Sequence, residues 1–292
     1  MPYGLHEKLD AEEAHKSGAV SGAPFSVGQG FNAHSFKHDM YSGAMDPLIM
    51  VDHFVMTEPT FGPHAHAGLS AVSILFEDSV GQFHNKDSLG NDIDLKPGDL
   101  YWLKAGRGAV HDEKPRPGAR THALQLFVNL PARMKYDAPD TLHVKASDMP
   151  ILTGPGYRGR LMLGERDEHR SKSSPALPMT ILDVTLNEDA RFEHGVPAGN
   201  AVFILSIDGE VTIHIGQETV TSDRGKSISF RPRVTDACLV LNAAEQAHVT
   251  VLQAAPLNEA FVQQGPFAMS TQAEVDAMFA AHAAGKLGSI DS

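Results

Sequence analysis

The sequence predicts an all-β protein of antiparallel sandwiches or barrels, arranged as two consecutive domains. Three observations carry this prediction. Short runs of branched and aromatic residues recur along the chain, Gly and Pro clusters separate them, and 292 residues is long for one core and comfortable for two. In chain order the strand candidates are SAVSILFE, DLYWLKA, HALQLFVNL, RLMLGE, MTILDVTL, AVFILSID, EVTIHIG, SISFRP, ACLVLN and HVTVLQAA. The turn clusters KPGD, AGRG, RPGA and IDGE fall between them. Alternation within EVTIHIG marks a strand with one buried face, a pattern of antiparallel sheets and not of βαβ units.

Between the two sets of strands, YDAPDTLHVKASDMPILTGPGYRG is poor in regular pattern and contains three prolines. It reads as the linker, giving domains at 1–140 and 141–292. The segments DSLGNDIDLKPGDLYWLKAG and DGEVTIHIGQETVTSDRGKSISFRP share an order of turns and strands without sharing residues, which suggests internal duplication. The tail STQAEVDAMFAAHAAGKLG opens on a Ser/Thr cap signal with a following glutamate and ends at Gly285 and Gly288, so it predicts a short terminal helix.

A hydrophobic content of 42% with 21% charged residues is that of a soluble globular chain. No apolar run approaches the ~18 to 20 residues that span a bilayer, and MPYGLHEKLDAEEAHKSG has no apolar export core. The single cysteine, Cys238, excludes an intramolecular disulfide and fits a reducing compartment, so a cytoplasmic location and no membrane partner are expected. A net charge of −12 repels a phosphate backbone. The densest basic stretches, Lys114 to Arg120 and Arg158 to Arg170, are broken by Pro, Gly or acidic residues, so no direct nucleic-acid contact is expected.

Two pairs of ligand-type residues stand at i, i+2: His64/His66 in FGPHAHAGLS and His111/Glu113 in AVHDEKP. On a strand this spacing sends both members of a pair to one side, about 6.6 Å apart. If the two strands lie side by side, four side chains converge on one ion. With 16 histidines in 292 residues, about one His-x-His pair arises by chance, so exposed or hydrogen-bonded core histidines are an alternative on spacing alone. Three neutral imidazoles and a carboxylate suit Fe(II), Mn, Co, Ni or Cu better than thiolate-seeking ions, and six-coordination leaves two positions open. The donor set does not exclude Zn.

MDPLIMVDHF, HxHxG, DSLGN, PGDLYWLKAGRGAVHDE, LQLFVNLP and PLNEAFVQQGPFAMST occur here in that order. In these motifs, over nearly its whole length, the chain resembles the pirin family of bicupins. The resemblance implies two stacked cupin (jelly-roll-like) β-barrels with a metal in the N-terminal one only. The ligands then fall on His64, His66, His111 and Glu113, with Fe(II) as the usual ion. One departure is that family members carry Arg and an acidic residue where this chain has Ala67 and Ser70, which implies a less charged pocket rim.

Through the resemblance, the implied activity is a quercetin 2,3-dioxygenase type of reaction: a flavonol is opened by O2 with release of carbon monoxide, and Glu113 accepts the hydroxyl proton as the catalytic base. The alternative implied by eukaryotic relatives is a regulatory binding protein whose metal redox state alters a surface that docks protein partners. Other positions carry blander expectations. His84 and His122 recur in the family pattern and are expected to be structural. His53 is either turned to the metal pocket or part of core or turn. Trp102 is expected in the barrel wall and Cys238 as a buried small hydrophobe. His194 and His214 have no i, i+2 partner, so no metal is expected in the second half.

Overall fold

The computed structural model describes residues 19–290. In chain order the first strands are β1 (Val20–Ser21), β2 (Ala23–Val27), β3 (Phe31–Lys37), β4 (Leu48–Met56), β5 (His64–His66), β6 (Leu69–Leu75), β7 (Phe83–Asp87), β8 (Asp92–Leu95), β9 (Leu100–Lys104), β10 (Ala109–Pro115), β11 (Thr121–Asn129) and β12 (Asp140–Val144). Then follow β13 (Ile151–Gly154), β14 (Tyr157–Leu163), β15 (Glu165–Arg166), β16 (His169–Arg170), β17 (Met179–Leu186), β18 (Arg191–Val196), β19 (Ala201–Asp208), β20 (Val211–Ile215), β21 (Glu218–Ser222), β22 (Lys226–Phe230), β23 (Ala237–Asn242), β24 (Ala247–Ala254), β25 (Val262–Gln264) and β26 (Phe267–Met269). After them comes α1 (Gln272–Ala283), the one α-helix among the described residues.

Each half is a jelly roll of two facing antiparallel sheets that do not close into one hydrogen-bonded barrel. The first has a seven-stranded sheet, β12-β9-β6-β11-β4-β3-β2, and a four-stranded one, β5-β10-β7-β8. The second repeats this as β1-β22-β19-β24-β17-β14-β13 and β18-β23-β20-β21. The two orders match place for place, so the duplication suggested by the turn and strand pattern is present in the topology. The seven-stranded sheets face each other, and one core formed by Phe36, Val72, Trp102, Phe203, Leu205 and Leu252 joins the halves.

The linker reading is corrected by two strands inside it, β12 and β13. β12 pairs with β9 of the first half, and β13 with β14 of the second. The expected division after residue 140 therefore falls at the start of β12, and the stretch without a strand is residues 145–150. Prolines suppressed the strand signal there, although Pro139 and Pro150 lie outside the paired residues. The first and last described strands are exchanged: β1 joins the second half's sheet beside β22, while β26 bridges to Ala67 of the first half. The terminal helix forms as expected, with Thr271 as N-cap and Glu274 completing a capping box.

Candidate metal centre

β5 begins after the Gly62–Pro63 turn and pairs with β10, placing His64 opposite His111 and His66 opposite Ala109. This register brings together three of the four residues singled out by spacing, His64, His66 and His111, but not Glu113. His111 Nε2 lies 3.0 Å from His66 Nε2 and 3.1 Å from His64 Nε2. His66 and His111 are buried, whereas His64 is half-buried and forms the side nearest solvent.

The opposite ring nitrogens set the tautomers. His64 Nδ1 is 2.9 Å from the Gly62 carbonyl and His66 Nδ1 is 3.4 Å from the Pro266 carbonyl. A carbonyl only accepts, so each Nδ1 carries the hydrogen and each Nε2 presents a lone pair to the centre. Burial, reinforced by neighbouring His64, pushes the His66 pKa down to about 3, and burial with His66 and His64 holds His111 well below its usual value. Both are therefore neutral, the form that ligates. Facing lone pairs repel, and a hydrogen on His111 Nε2 would serve only one neighbour. A cation satisfies all three nitrogens, so these residues fit a metal.

Glu113 sits two residues beyond His111, on the same face of β10. Its oxygens accept from Ser73 Oγ at 2.7 and 2.9 Å, and Oε2 lies 3.8 Å from Nδ1 of His111, not from the Nε2 that meets the other imidazoles. With its amide turned to donate, Gln125 also reaches Glu113 Oε2 at 3.3 Å. Burial pushes this carboxyl up to about 7; Ser73 opposes that shift and Asp112 adds to it. Phe127 packs edge-on against the His66 ring at 5.1 Å between centroids. Sequence reasoning passed over Ser73, Gln125, Phe127 and the Pro266 carbonyl. Strand alternation places Ser73 and Gln125 on the inner face, but nothing local links Pro266 to a histidine 200 residues earlier.

The remaining candidates sit elsewhere. His53 Nε2 meets His122 Nε2 at 2.7 Å, and His122 Nδ1 binds Asp78; both rings pack on Phe76, whose other ring neighbour is His248 of the second half. His53 thus faces the other jelly roll and not the metal pocket. His84 pairs with Asp92 at 2.7 Å on β8. Trp102 lies in the core between the halves. Cys238 is exposed, contrary to expectation, because strand alternation turns it outward between Ala237 and buried Leu239. Ala67 and Ser70 are fully buried and so form no rim: Ala67 packs with Phe267 and Met269, and the rim inference does not hold at these positions.

Residues 8–128 match the family model described as Pirin, and residues 181–288 match the Pirin C-terminal cupin domain. Pirin from Mus musculus is 32% identical over 233 residues, 79% of each chain. Among solved structures, quercetin 2,3-dioxygenase from Acinetobacter baumannii matches with a TM-score of 0.81 at 26% identity, covering 95% of this chain and 99% of that one. A bacterial pirin from Escherichia coli in complex with nickel(II) shares the fold at 17% identity and a TM-score of 0.62, covering 80% of this chain and 96% of that one. With both jelly rolls in place and both halves matched, the chain belongs to the pirin family, and its fold is the bicupin fold of that family.

Proposed function

We propose that this protein is a cytoplasmic, Fe(II)-dependent dioxygenase that opens a flavonol such as quercetin with O2 and releases carbon monoxide. The observation that carries the reading is the convergence of three imidazole Nε2 atoms, 3.0 and 3.1 Å from the one on His111, near a buried carboxyl group. The similarity to a quercetin 2,3-dioxygenase across 95% of the chain supports the substrate class. The nickel(II) in a pirin of the same fold supports a divalent ion at such a centre.

His64, His66 and His111 would hold the ion, with Glu113, two residues beyond His111, as the fourth ligand. A bound Fe(II) supplies Lewis acidity toward an enol oxygen and electron exchange with dioxygen. The protein's part is to position and to move a proton. Glu113 accepts the flavonol hydroxyl proton, and the buried Ser73 hydroxyl orients the carboxylate for it. Buried His66 and His111 keep water from the inner side, leaving the half-buried His64 edge for entry.

The test is anaerobic reconstitution with Fe(II), then quercetin turnover in air, followed by flavonol absorbance and carbon monoxide release. Wild type should consume quercetin with carbon monoxide formed, and His64→Ala should not. Glu113→Gln should retain metal but lose turnover, and wild-type turnover in that variant removes the proton-accepting role. Tight metal binding without turnover shifts the weight to a metal-redox-sensitive binding protein acting through protein partners.

A further inference from the structure

The second jelly roll has its own counterpart of the metal centre. Aligning the starts of β10 and β23 equates Ala109 with Ala237, His111 with Leu239 and Glu113 with Leu241. β18 then pairs as β5 does: His194 stands opposite Leu239 and Val196 opposite Ala237, as His64 stands opposite His111 and His66 opposite Ala109. The partner strands agree, since His111 also faces Asp87 at the end of β7, and Leu239 faces Ile215 at the end of β20. Of four candidate ligand positions, the second half keeps one histidine and fills the others with Val196, Leu239 and Leu241. A metal has no donor set here, but the place is not filled in. A cavity of about 750 Å³ opens beside it, lined by His194, Val196, Gln253, Met179 and Arg166 among others. That volume falls in the range of small-molecule sites.

Polar groups at the cavity define what it would take. His194 is 3% exposed, and its Nε2 meets Gln253 Oε1 at 2.8 Å. An amide oxygen only accepts, so Nε2 carries the hydrogen and Nδ1 is a bare acceptor. That Nδ1 is buried and has no hydrogen-bond partner. Arg166 Nε is a second buried atom without a hydrogen bond, and it is a donor. The lining arginines are already paired: Arg166 lies 3.7 Å from Asp167, and Arg170 lies 3.1 Å from Glu165, while Asp236 accepts from the Ala198 N–H at 2.8 Å. An anionic ligand therefore meets no unpaired arginine here. A buried imidazole lone pair is well met by a neutral hydroxyl donor.

We infer that this cavity binds an uncharged phenol-type molecule, whose hydroxyl donates to His194 Nδ1 while its apolar body packs on Val196 and Met179. The orphaned acceptor gains the partner that buried polar groups otherwise have. Binding is independent of the metal centre, which lies in the other jelly roll.

The experiment is a titration of the full-length protein with phenol, followed by the ring ¹⁵N resonances of labelled histidine, with benzoate as the charged comparison. Phenol should bind saturably and move the His194 Nδ1 resonance, identified by its loss in His194→Leu. Affinity should drop about tenfold in His194→Leu, vanish in Val196→Phe, which fills the cavity, and stay unchanged in His64→Ala. A thermal melt of each variant separates loss of binding from loss of fold. The inference is overturned if phenol does not saturate in wild type, if it saturates without moving His194, if benzoate binds as well, or if His64→Ala abolishes binding.

Discussion

His64, His66 and His111 act together because each Nδ1 is managed separately. Two donate to carbonyls, Gly62 and Pro266, and the third lies in the core without a hydrogen-bond partner. Binding of Ni(II) or Fe(II) by the folded state alone stabilises it by mass action, about 2.7 kcal/mol at a hundredfold excess over Kd. Either ion should raise the wild-type melting temperature and leave that of His64→Ala unmoved, and equal shifts in the two proteins would remove these histidines as ligands. At this scale the i, i+2 pairs were readable because ligand residue types are rare and strand alternation is local. What failed was phase at positions between inward residues. Cys238 sits in an apolar run yet points outward, and Ala67 follows a ligand yet points into the core beneath β26.

At the level of elements, the ligand strand is held by a turn that only glycine allows. Gly68 has φ +72°, and a Cβ there would stand 2.0 Å from the Ala268 carbonyl oxygen. Gly68→Ala should therefore cost more than about 2 kcal/mol, combining a left-handed backbone with a main-chain clash. Urea unfolding measures this, and a neutral result would mean that β26 yields easily. Metal affinity should fall with it, since displacing β26 moves the Pro266 carbonyl that orients His66. The terminal helix offers a milder case. Thr271 Oγ accepts from Glu274 N at 3.3 Å and Glu274 Oε2 accepts from Thr271 N at 2.8 Å. Thr271→Ala should cost about 1 kcal/mol in the same assay. All ten strands expected from apolar runs are present, because each is an inner-sheet strand or a well-alternating one. The short β5 and the proline-flanked β12 and β13 lack such a run, and only their pairing identifies them.

Across the whole molecule, a buried ionic cluster ties the halves together. Arg160 donates to the Gly98 carbonyl of the first half at 2.9 Å and to Asp183 Oδ2 at 2.6 Å, and Asp183 also binds His248. Burial alone would raise the Asp183 pKa, yet His248 and Arg160 hold it well below the carboxylate range. Burial alone would lower the His248 pKa, yet Asp183 raises it. A histidine with a raised folded-state pKa contributes stability that is fully present below its unfolded value, about 6.5, and is lost as pH rises through the folded value. His248→Gln should therefore cost about 1 kcal/mol near pH 6 and progressively less as the solution becomes alkaline. Urea midpoints of the two proteins across this range measure it. A penalty that grows with pH would show that His248 acts in its neutral form.

The sequence by itself determined the β class, the twofold division, the helical tail and the identity of the metal-ligand candidates. These depend on residue type and on periods of two to four residues, which any segment carries on its own. Tertiary structure decided the rest. It exchanged the first and last described strands between halves, set His53 and His122 facing the second jelly roll, brought Pro266 to His66, and placed His194 where the first half has His64. Each of these is a register or contact between segments far apart in the chain, fixed by how two seven-stranded sheets bury one shared core.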